Sequence, residues 1–319
     1  MEALPFSLTT SLVILTNALL TPSAPAYGSK GHETVGAIAD ELLHGTTAET
    51  HVRALLHNGT LADAATWADR VKGTNLDQEM RDYVQHNPKH HQYHFTDVPI
   101  QEQQYKDGTK GTDPDDIVHI VKQCIQILQK TSTPASNPHN FDERTALLLL
   151  AHLVGDIHQP LHVGAAYVNP ANRFTNPNLH PHGAEEDQGG NFLKYKSTVL
   201  HAYWDNNAVE RAMTKAGAHT PHDYAITILQ NNPVVPQTSG SVLDWPQKWA
   251  EEILPVAAKA HRGLRLDSPK TVHDHFGTHL LWPIVKAPSG YDNKARDTVD
   301  DELTTAGHRL AELLHVVWP

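Results

Sequence analysis

The sequence predicts an all-α fold, a single-domain helical bundle, and three observations carry that expectation. From His32 onward apolar residues recur at helical spacing, as in Val35, Ile38, Ala39, Leu42 and Leu43, and no stretch of comparable length alternates with period two. The run Ala146-Leu147-Leu148-Leu149-Leu150-Ala151 is apolar on every side, which marks a helix buried at the centre of a bundle. The 319 residues suffice for one large core, with no internal repeat or Gly/Ser linker to divide it.

The elements follow in order. Residues 1–26 hold an apolar run from Leu12 to Leu20 and then the small-residue site Ala24-Pro25-Ala26. A run this short falls below the roughly 20 apolar residues that a spanning helix needs, so it reads as a signal peptide cleaved before Tyr27. The working domain is then 27–319, secreted or periplasmic, with one sequon at Asn58-Gly59-Thr60. The first helix is followed by a capping box, Thr46-x-x-Glu49, and the central helix is announced by Asn140-x-x-Glu143. Other helices are expected at about 59–72, 113–130, 194–213, 221–230, 242–263 and 297–316. The stretches 163–190, rich in Asn, Pro, His and Gly, and 263–295, with Pro269, Pro283 and Pro288, are expected as loops. Loops of that length often serve as lids or walls.

Composition narrows the chemistry. With 39% apolar and 19% charged residues the chain is neither disordered, collagenous nor membrane-spanning in pattern. A formal charge of −11 argues against long-range capture of a polyanion, so a phosphate-bearing substrate would need bound cations to supply the positive field. Histidine is abundant at 24 residues, while the single cysteine, Cys124, excludes an internal disulfide. Imidazole with scattered aspartate is the donor set of a catalytic metal site.

Spacing makes that suspicion specific. His152 and Asp156 stand four residues apart on the central helix, hence on one face, in the string His-Leu-Val-Gly-Asp-Ile-His-Gln-Pro-Leu-His. An aspartate this close to an all-apolar run is costly to bury without a cation, and no Arg or Lys lies between Arg144 and Arg173. Metal is the simpler partner. Pro160 cannot continue the helix and would swing His162 back toward the site. His201 and Asp205 repeat the four-residue spacing, and Asp69 and His94 lie upstream.

The ordered motifs are Gly31-His32-x-x-Val35, Trp67-Ala68-Asp69, His94-Phe95-x-Asp97, His152-x-x-Gly155-Asp156-x-x-Gln159-Pro160-Leu161-His162, Gly189-Gly190-Asn191 and His201-x-x-Trp204-Asp205. In these the chain resembles the zinc-dependent class I nucleases of the mung-bean-nuclease type, single-strand-specific nucleases and 3′-nucleotidases related to bacterial zinc phospholipase C. The resemblance extends from Tyr27 to Gly307-His308-Arg309-Leu310-Ala311. It implies a helical bundle of the zinc phospholipase C and single-strand nuclease type holding three zinc ions. One would be held by Asp69, His94, His152 and Asp156. A neighbour would be held by His32, Asp156 and the amine and carbonyl of residue 27, with Asp156 bridging. The third would take His162, His201 and Asp205. Implied too are attack on phosphorus by a zinc-activated water, 5′-phosphorylated products from single-stranded DNA and RNA, and 3′-nucleotidase activity. Asp69, Asp156 and Lys72 would carry catalysis, although Lys72 also reads as a solvated helix face. Phe95 would stack the base, or else serve as plain core, while Asp97, Asn191, Gly189 and Gly190 would close the pocket.

Tyr27 departs from the Trp with which that family usually begins, and one Cys with one sequon resembles its bacterial branch. Single-stranded nucleic acid and 3′-nucleotides are the expected substrates, with no stable membrane partner and a monomeric chain. The alternatives are a zinc phospholipase C, where the last ligand is typically Glu rather than Asp205, and a non-catalytic zinc-binding protein suggested by the surplus histidines. The 163–188 insert either shapes access or is a passive surface loop.

Overall fold

The computed structural model describes residues 27–180 and 182–319, so the expected signal peptide at 1–26 lies outside the described residues. Its helices are α1 (Gly28–Leu43), α2 (Thr47–Leu55), α3 (Leu61–Ala64), α4 (Trp67–Arg70), α5 (Gln78–His86), α6 (Ile117–Leu128), α7 (Glu143–Asp156), α8 (Leu200–Ala202), α9 (Val209–Ala216), α10 (Pro221–Gln230), α11 (Trp245–His261) and α12 (Tyr291–Val317). Short strands lie between them: β1 (Val98–Pro99), β2 (Gly164–Ala165), β3 (Tyr167–Val168), β4 (Phe174–Thr175), β5 (Glu185–Glu186), β6 (Leu193–Tyr195), β7 (Thr198–Val199), β8 (Arg265–Leu266), β9 (Lys270–Asp274) and β10 (Gly277–Lys286).

The centre is α7. Every residue from Ala146 to Asp156 is buried, and the helix packs against α6, α12 and α1. Each of its buried leucines contributes roughly 1.5–3 kcal/mol before chain entropy is counted. Its cap is Asp142, whose carboxylate accepts from the Thr145 amide at 2.7 Å, rather than the expected Asn140, which turns through a positive φ of 54° two residues earlier. Thr46 does cap α2, but the Glu49 carboxylate reaches back to the amide of Gly45 instead of Thr46. The reciprocal capping box stands at Thr220 and Asp223, ahead of α10. Around α7, α1 lies against α12 and α10, so the two ends of the described chain are packed together. No helix of the described residues is long and apolar enough to cross a membrane.

The all-α expectation is overturned. The described residues hold a two-stranded sheet β1-β2, a three-stranded sheet β4-β3-β5 and a five-stranded mixed sheet in which β10 joins β6, β8 and β9. Both stretches expected as loops carry strands: β2 to β5 fall in 163–190, and β8 to β10 in 263–295. Most are two residues long, too short to show a period-two pattern. The ten-residue β10 was hidden by Pro283, which needs no ladder donor where it sits: its carbonyl accepts from Asp267 and its pairing with Lys194 is parallel. Expected helix 194–213 likewise begins late, because 193–199 is the hairpin β6-β7, and Tyr203–Ala208 then runs as a π-helical turn. Expected helix 59–72 is two short helices, α3 and α4.

Candidate metal centre

The final turn of α7 places His152 and Asp156 together, their Nε2 and Oδ2 3.0 Å apart, both fully buried. α1 delivers His32 from the opposite side, 3.3 Å from Asp156 Oδ1, with its ring stacked on His152 at 3.7 Å. That approach depends on Gly155, where a Cβ would stand 3.0 Å from His32 Nδ1. Asp69 comes from α4 and His94 from the 3-10 turn His90–His94; they lie 3.7 Å and 3.1 Å from His152 Nε2. The turn after α7 is started by Pro160, as expected from its lost N–H, and carries His162 to within 3.7 Å of Asp156 Oδ1. His201 and Asp205 approach to 3.3 Å from α8 and the π-helical turn. A π-turn keeps an i, i+4 pair adjacent while widening the helix, a feature frequent at functional sites.

Three groups therefore converge: His32, His152 and Asp156; Asp69, His94 and His152; and His162, His201 and Asp205, each with its ligand atoms within 4.8 Å of one another. The first two share His152, and His94 Nδ1 lies 2.9 Å from Asp156, which stands between the groups. Backbone carbonyls orient the rings. His152 Nδ1 donates to Ala65 O, His162 Nδ1 to His94 O and His201 Nδ1 to Gly189 O, which leaves each Nε2 as the lone-pair nitrogen.

Whether a cation fits can be tested by the polar atoms left over. Both ring nitrogens of His32, Asp156 Oδ1, His162 Nε2 and Asp205 Oδ2 are buried and make no hydrogen bond. An orphaned buried polar atom costs about 1–3 kcal/mol, and these five belong to the His32, His152, Asp156 group and the His162, His201, Asp205 group. N and O donors of this kind suit zinc. The residues fit.

Electrostatics agree. Burial works to raise the Asp156 carboxyl, but His152, His162 and His32 around it hold it well below the usual carboxylate range. Asp69 is also lowered, against the burial effect, by Lys72, His152 and His94. Burial, then Lys72, pushes His94 down to about 3; burial brings His162 to about 3, where His201 adds to it. His32, lowered by burial, joins His94 and His162 as a neutral imidazole beside charged carboxylates, the protonation states that metal ligation requires. At His152 burial is outweighed by Asp156 and Asp69, which raise it. Asp205 differs: burial pushes its carboxyl up to about 7, against which His201 and the Gln159 amide are the lowering contacts.

The remaining expected residues fall beside this centre. Lys72 is not a solvated helix face: its ammonium lies 2.7 Å from Asp69 Oδ1 and both side chains are 11% exposed. Phe95 and Asp97 follow His94 in a segment zipped to the 162–165 strand by Thr96 N to His162 O and Val98 N to Val163 O. Phe95 is half-buried. Asp97 faces a second carboxyl, Glu186; burial first, then Glu186 and Asp187, raise its pKa well above the usual range. Gly189 and Gly190 both take positive φ, and a Cβ on Gly189 would stand 2.2 Å from Leu161 O, so only glycine lets this loop touch the His162 turn. Asn191 turns its amide onto Gln188 O. Tyr27 is fully buried, its ring edge-on to His32 and its hydroxyl donating to His158 O at 3.1 Å.

Several supporting residues had no role in the sequence reading. Gln159 donates to Asp205 Oδ1 at 2.6 Å and accepts from Leu161 N, so it aims the carboxylate. His158 donates to Val154 O and accepts from Arg309 of α12 at 2.9 Å. Asp187 holds Ala166 N and His261. Gln159 and Arg309 stand in the quoted motifs and His158 in the central string, whereas Asp187 carried no signal; partners 46 to 151 residues away could not be read from spacing.

Comparison with known proteins agrees with this arrangement. The family model described as S1/P1 Nuclease matches residues 27–318. The chain is 29% identical to "Endonuclease 2" of Arabidopsis thaliana over 210 residues, 63% of each chain. It is 29% identical to "Nuclease S1" of Aspergillus oryzae (strain ATCC 42149 / RIB 40) over 193 residues, 58% of this chain and 55% of that one. With "Endonuclease 1" of Arabidopsis thaliana it shares 25% identity over 313 residues, 88% of each. The first two matches thus span between half and two thirds of those relatives. With a family model covering all but the first 26 residues and the last, and the motif residues gathered at one buried centre, the chain belongs to the S1/P1 nuclease family.

Proposed function

We propose that the protein is a secreted, zinc-dependent nuclease that cleaves phosphodiester bonds of single-stranded DNA and RNA and releases phosphate from 3′-nucleotides. The observation that carries this reading is the set of orphaned ligand atoms in three interlocked His/Asp groups. Zinc ions held by Asp69, His94, His152 and Asp156, by His32, Asp156 and the main chain of Tyr27, and by His162, His201 and Asp205 would supply Lewis acidity toward water and phosphate. The protein's own residues do the rest. Lys72, kept beside Asp69 at 2.7 Å, offers a fixed cation to the phosphate in a chain of formal charge −11. Phe95 takes a base by stacking, which requires the base to be unpaired and unstacked and so favours single strands. Asp97, its carboxyl raised by burial and by Glu186 and Asp187, meets the base edge, and the Gly189-Gly190-Asn191 loop closes over it. Cleavage on the 3′-oxygen side leaves 5′-phosphates. Removal of residues 1–26 frees the Tyr27 amine, so processing is a condition of activity.

The test is to count zinc in the purified, processed protein and assay single-stranded DNA, RNA, 3′-AMP and phosphatidylcholine with and without chelator. The expected result is about three zinc ions per chain and chelator-sensitive turnover of the nucleic acids and 3′-AMP. Turnover of phosphatidylcholine without nucleic-acid turnover would overturn the reading in favour of a phospholipase. Zinc bound with no turnover of any substrate would leave only a zinc-binding protein.

A further inference from the structure

The hairpin β9-β10 gathers aromatic rings that the metal centre does not use. Phe192 and the His279 ring stack face to face, centroids 3.9 Å apart and planes within 18°. Phe276, at the hairpin tip, stands perpendicular to both, at 5.5 Å and 6.0 Å, with His275 against it at 4.1 Å. Phe276 keeps 44% of its surface exposed, unusual for a phenylalanine already in a ring cluster.

The cluster is mounted on the proposed site. Phe192 directly follows Asn191, and its own carbonyl accepts from Trp282 N of β10 at 2.9 Å. β6 pairs with β10 at Leu193 and Trp282, and Trp282 Nε1 donates to Asn172 Oδ1 of the insert at 3.2 Å. At the other end of the same loop the Gly189 carbonyl accepts from His201. One short, hydrogen-bonded segment therefore joins the His162, His201 and Asp205 group to the rings. Charge points the same way: residues 270–286 carry two lysines against one aspartate, a formal +1 in a chain of net −11.

We propose that Phe276, backed by Phe192 and His279, is a second stacking shelf, taking a nucleobase of a single-stranded chain at a position beyond the nucleotide that is cleaved. Rings offer a flat face that any base can use, and the local positive balance suits the phosphates on either side of that base. The shelf takes the base of a second nucleotide, so it acts only on substrates longer than a mononucleotide. This rests on the nuclease reading of the site.

The experiment measures binding of a fluorescent, phosphorothioate-linked decathymidylate to the zinc-loaded protein, and kcat/KM on unmodified decathymidylate relative to 3′-AMP. Phe276→Ala is expected to weaken decamer binding roughly fivefold or more and to lower the decamer to 3′-AMP ratio by a similar factor, as loss of one stacked base implies. Phe276→Trp is expected to restore both. Decamer binding within about twofold of wild type in Phe276→Ala would overturn the shelf while leaving the nuclease reading intact. Decamer binding that depends on Phe276 in a wild-type protein that hydrolyses no nucleic acid would uphold the shelf and overturn that reading. Loss of binding to phosphatidylcholine vesicles in Phe276→Ala, with decamer binding unchanged, would reassign the rings to a lipid surface.

Discussion

Asp156 and Asp205 are both fully buried aspartates four residues after a histidine, yet their surroundings drive them in opposite directions. Three imidazoles surround Asp156 and hold its carboxyl well below the usual range in spite of burial. Asp205 has one imidazole and one amide, and burial wins, pushing it up to about 7. The difference is one of sharing. Asp156 draws on His152 and His32 of its own group and on His162 of the third, whereas Asp205 has His201 alone among imidazoles and is raised further by the charges of Asp156 and Asp69. A buried carboxylate is made comfortable by the number of cationic or ligand neighbours it can recruit, and spacing along a helix alone does not set that number.

Four substitutions break or sharpen this contrast. The largest effect is expected from Asp156→Asn, which removes the carboxylate that meets His32, His94 and His152 of the two groups fused at His152: zinc content should drop by two ions and activity to background, and a variant with full zinc and full activity would contradict the proposed bridging role. Asp205→Asn should cost one ion and reduce nucleic-acid hydrolysis beyond the roughly 100-fold ceiling seen for supporting residues, with the other two ions retained on metal analysis. In wild type the same asymmetry should show on graded chelation, one ion leaving before the remaining pair. Gln159→Ala leaves every ligand in place but frees Asp205 from its 2.6 Å donor, so zinc affinity at that group should weaken about 10- to 100-fold while the fused pair is unaffected.

The smallest effect concerns stability and uses Glu302 of α12, a half-buried carboxyl outside all three ligand groups. Burial raises it from 4.5 to about 8, with Arg309 opposing and Asp301 and Glu252 adding. The folded state then holds a proton that the unfolded chain releases above pH 4.5, so the stability contributed by the protonated form is lost as pH rises from 4.5 toward 8. Glu302→Gln should therefore raise the melting temperature relative to wild type by an amount that grows across that window. An equal shift at pH 5 and pH 8 would show that Glu302 is not raised.

His32, His152 and Asp156 were legible in the sequence because they lie in long, strongly patterned helices, α1 and α7, whereas Asp69, His94, His201 and Asp205 sit in elements of three to six residues and were marked only by the ordered motifs. His152 and Asp156 stood out since an aspartate in an apolar helix needs a cationic partner, and Pro160 forecast the turn that returns His162. What was hidden depended on distant pairing. Two-residue strands such as β1 and β2 have no periodicity to read, and Pro283 disguised a ten-residue strand as a loop. The same loops supply the Gly189 carbonyl to His201 and the Phe192 ring to the shelf, so the overturned all-α expectation bears directly on the site. The carboxyl pair of Asp97 and Glu186 joins residues 89 positions apart, and no local pattern announces it. Asp142 displaced Asn140 as the α7 cap because Asn140 is spent on a left-handed turn.

Arg309 bonds His158, and His158 takes the Tyr27 hydroxyl, while α1 lies against α12. During synthesis Tyr27 emerges from the ribosome long before Arg309, which follows it by 282 positions (309 − 27). Until α12 has been made, the turn that follows Asp156 lacks this brace and α1 lacks one of the surfaces it packs on. The contacts that set the candidate centre therefore join residues made far apart in time.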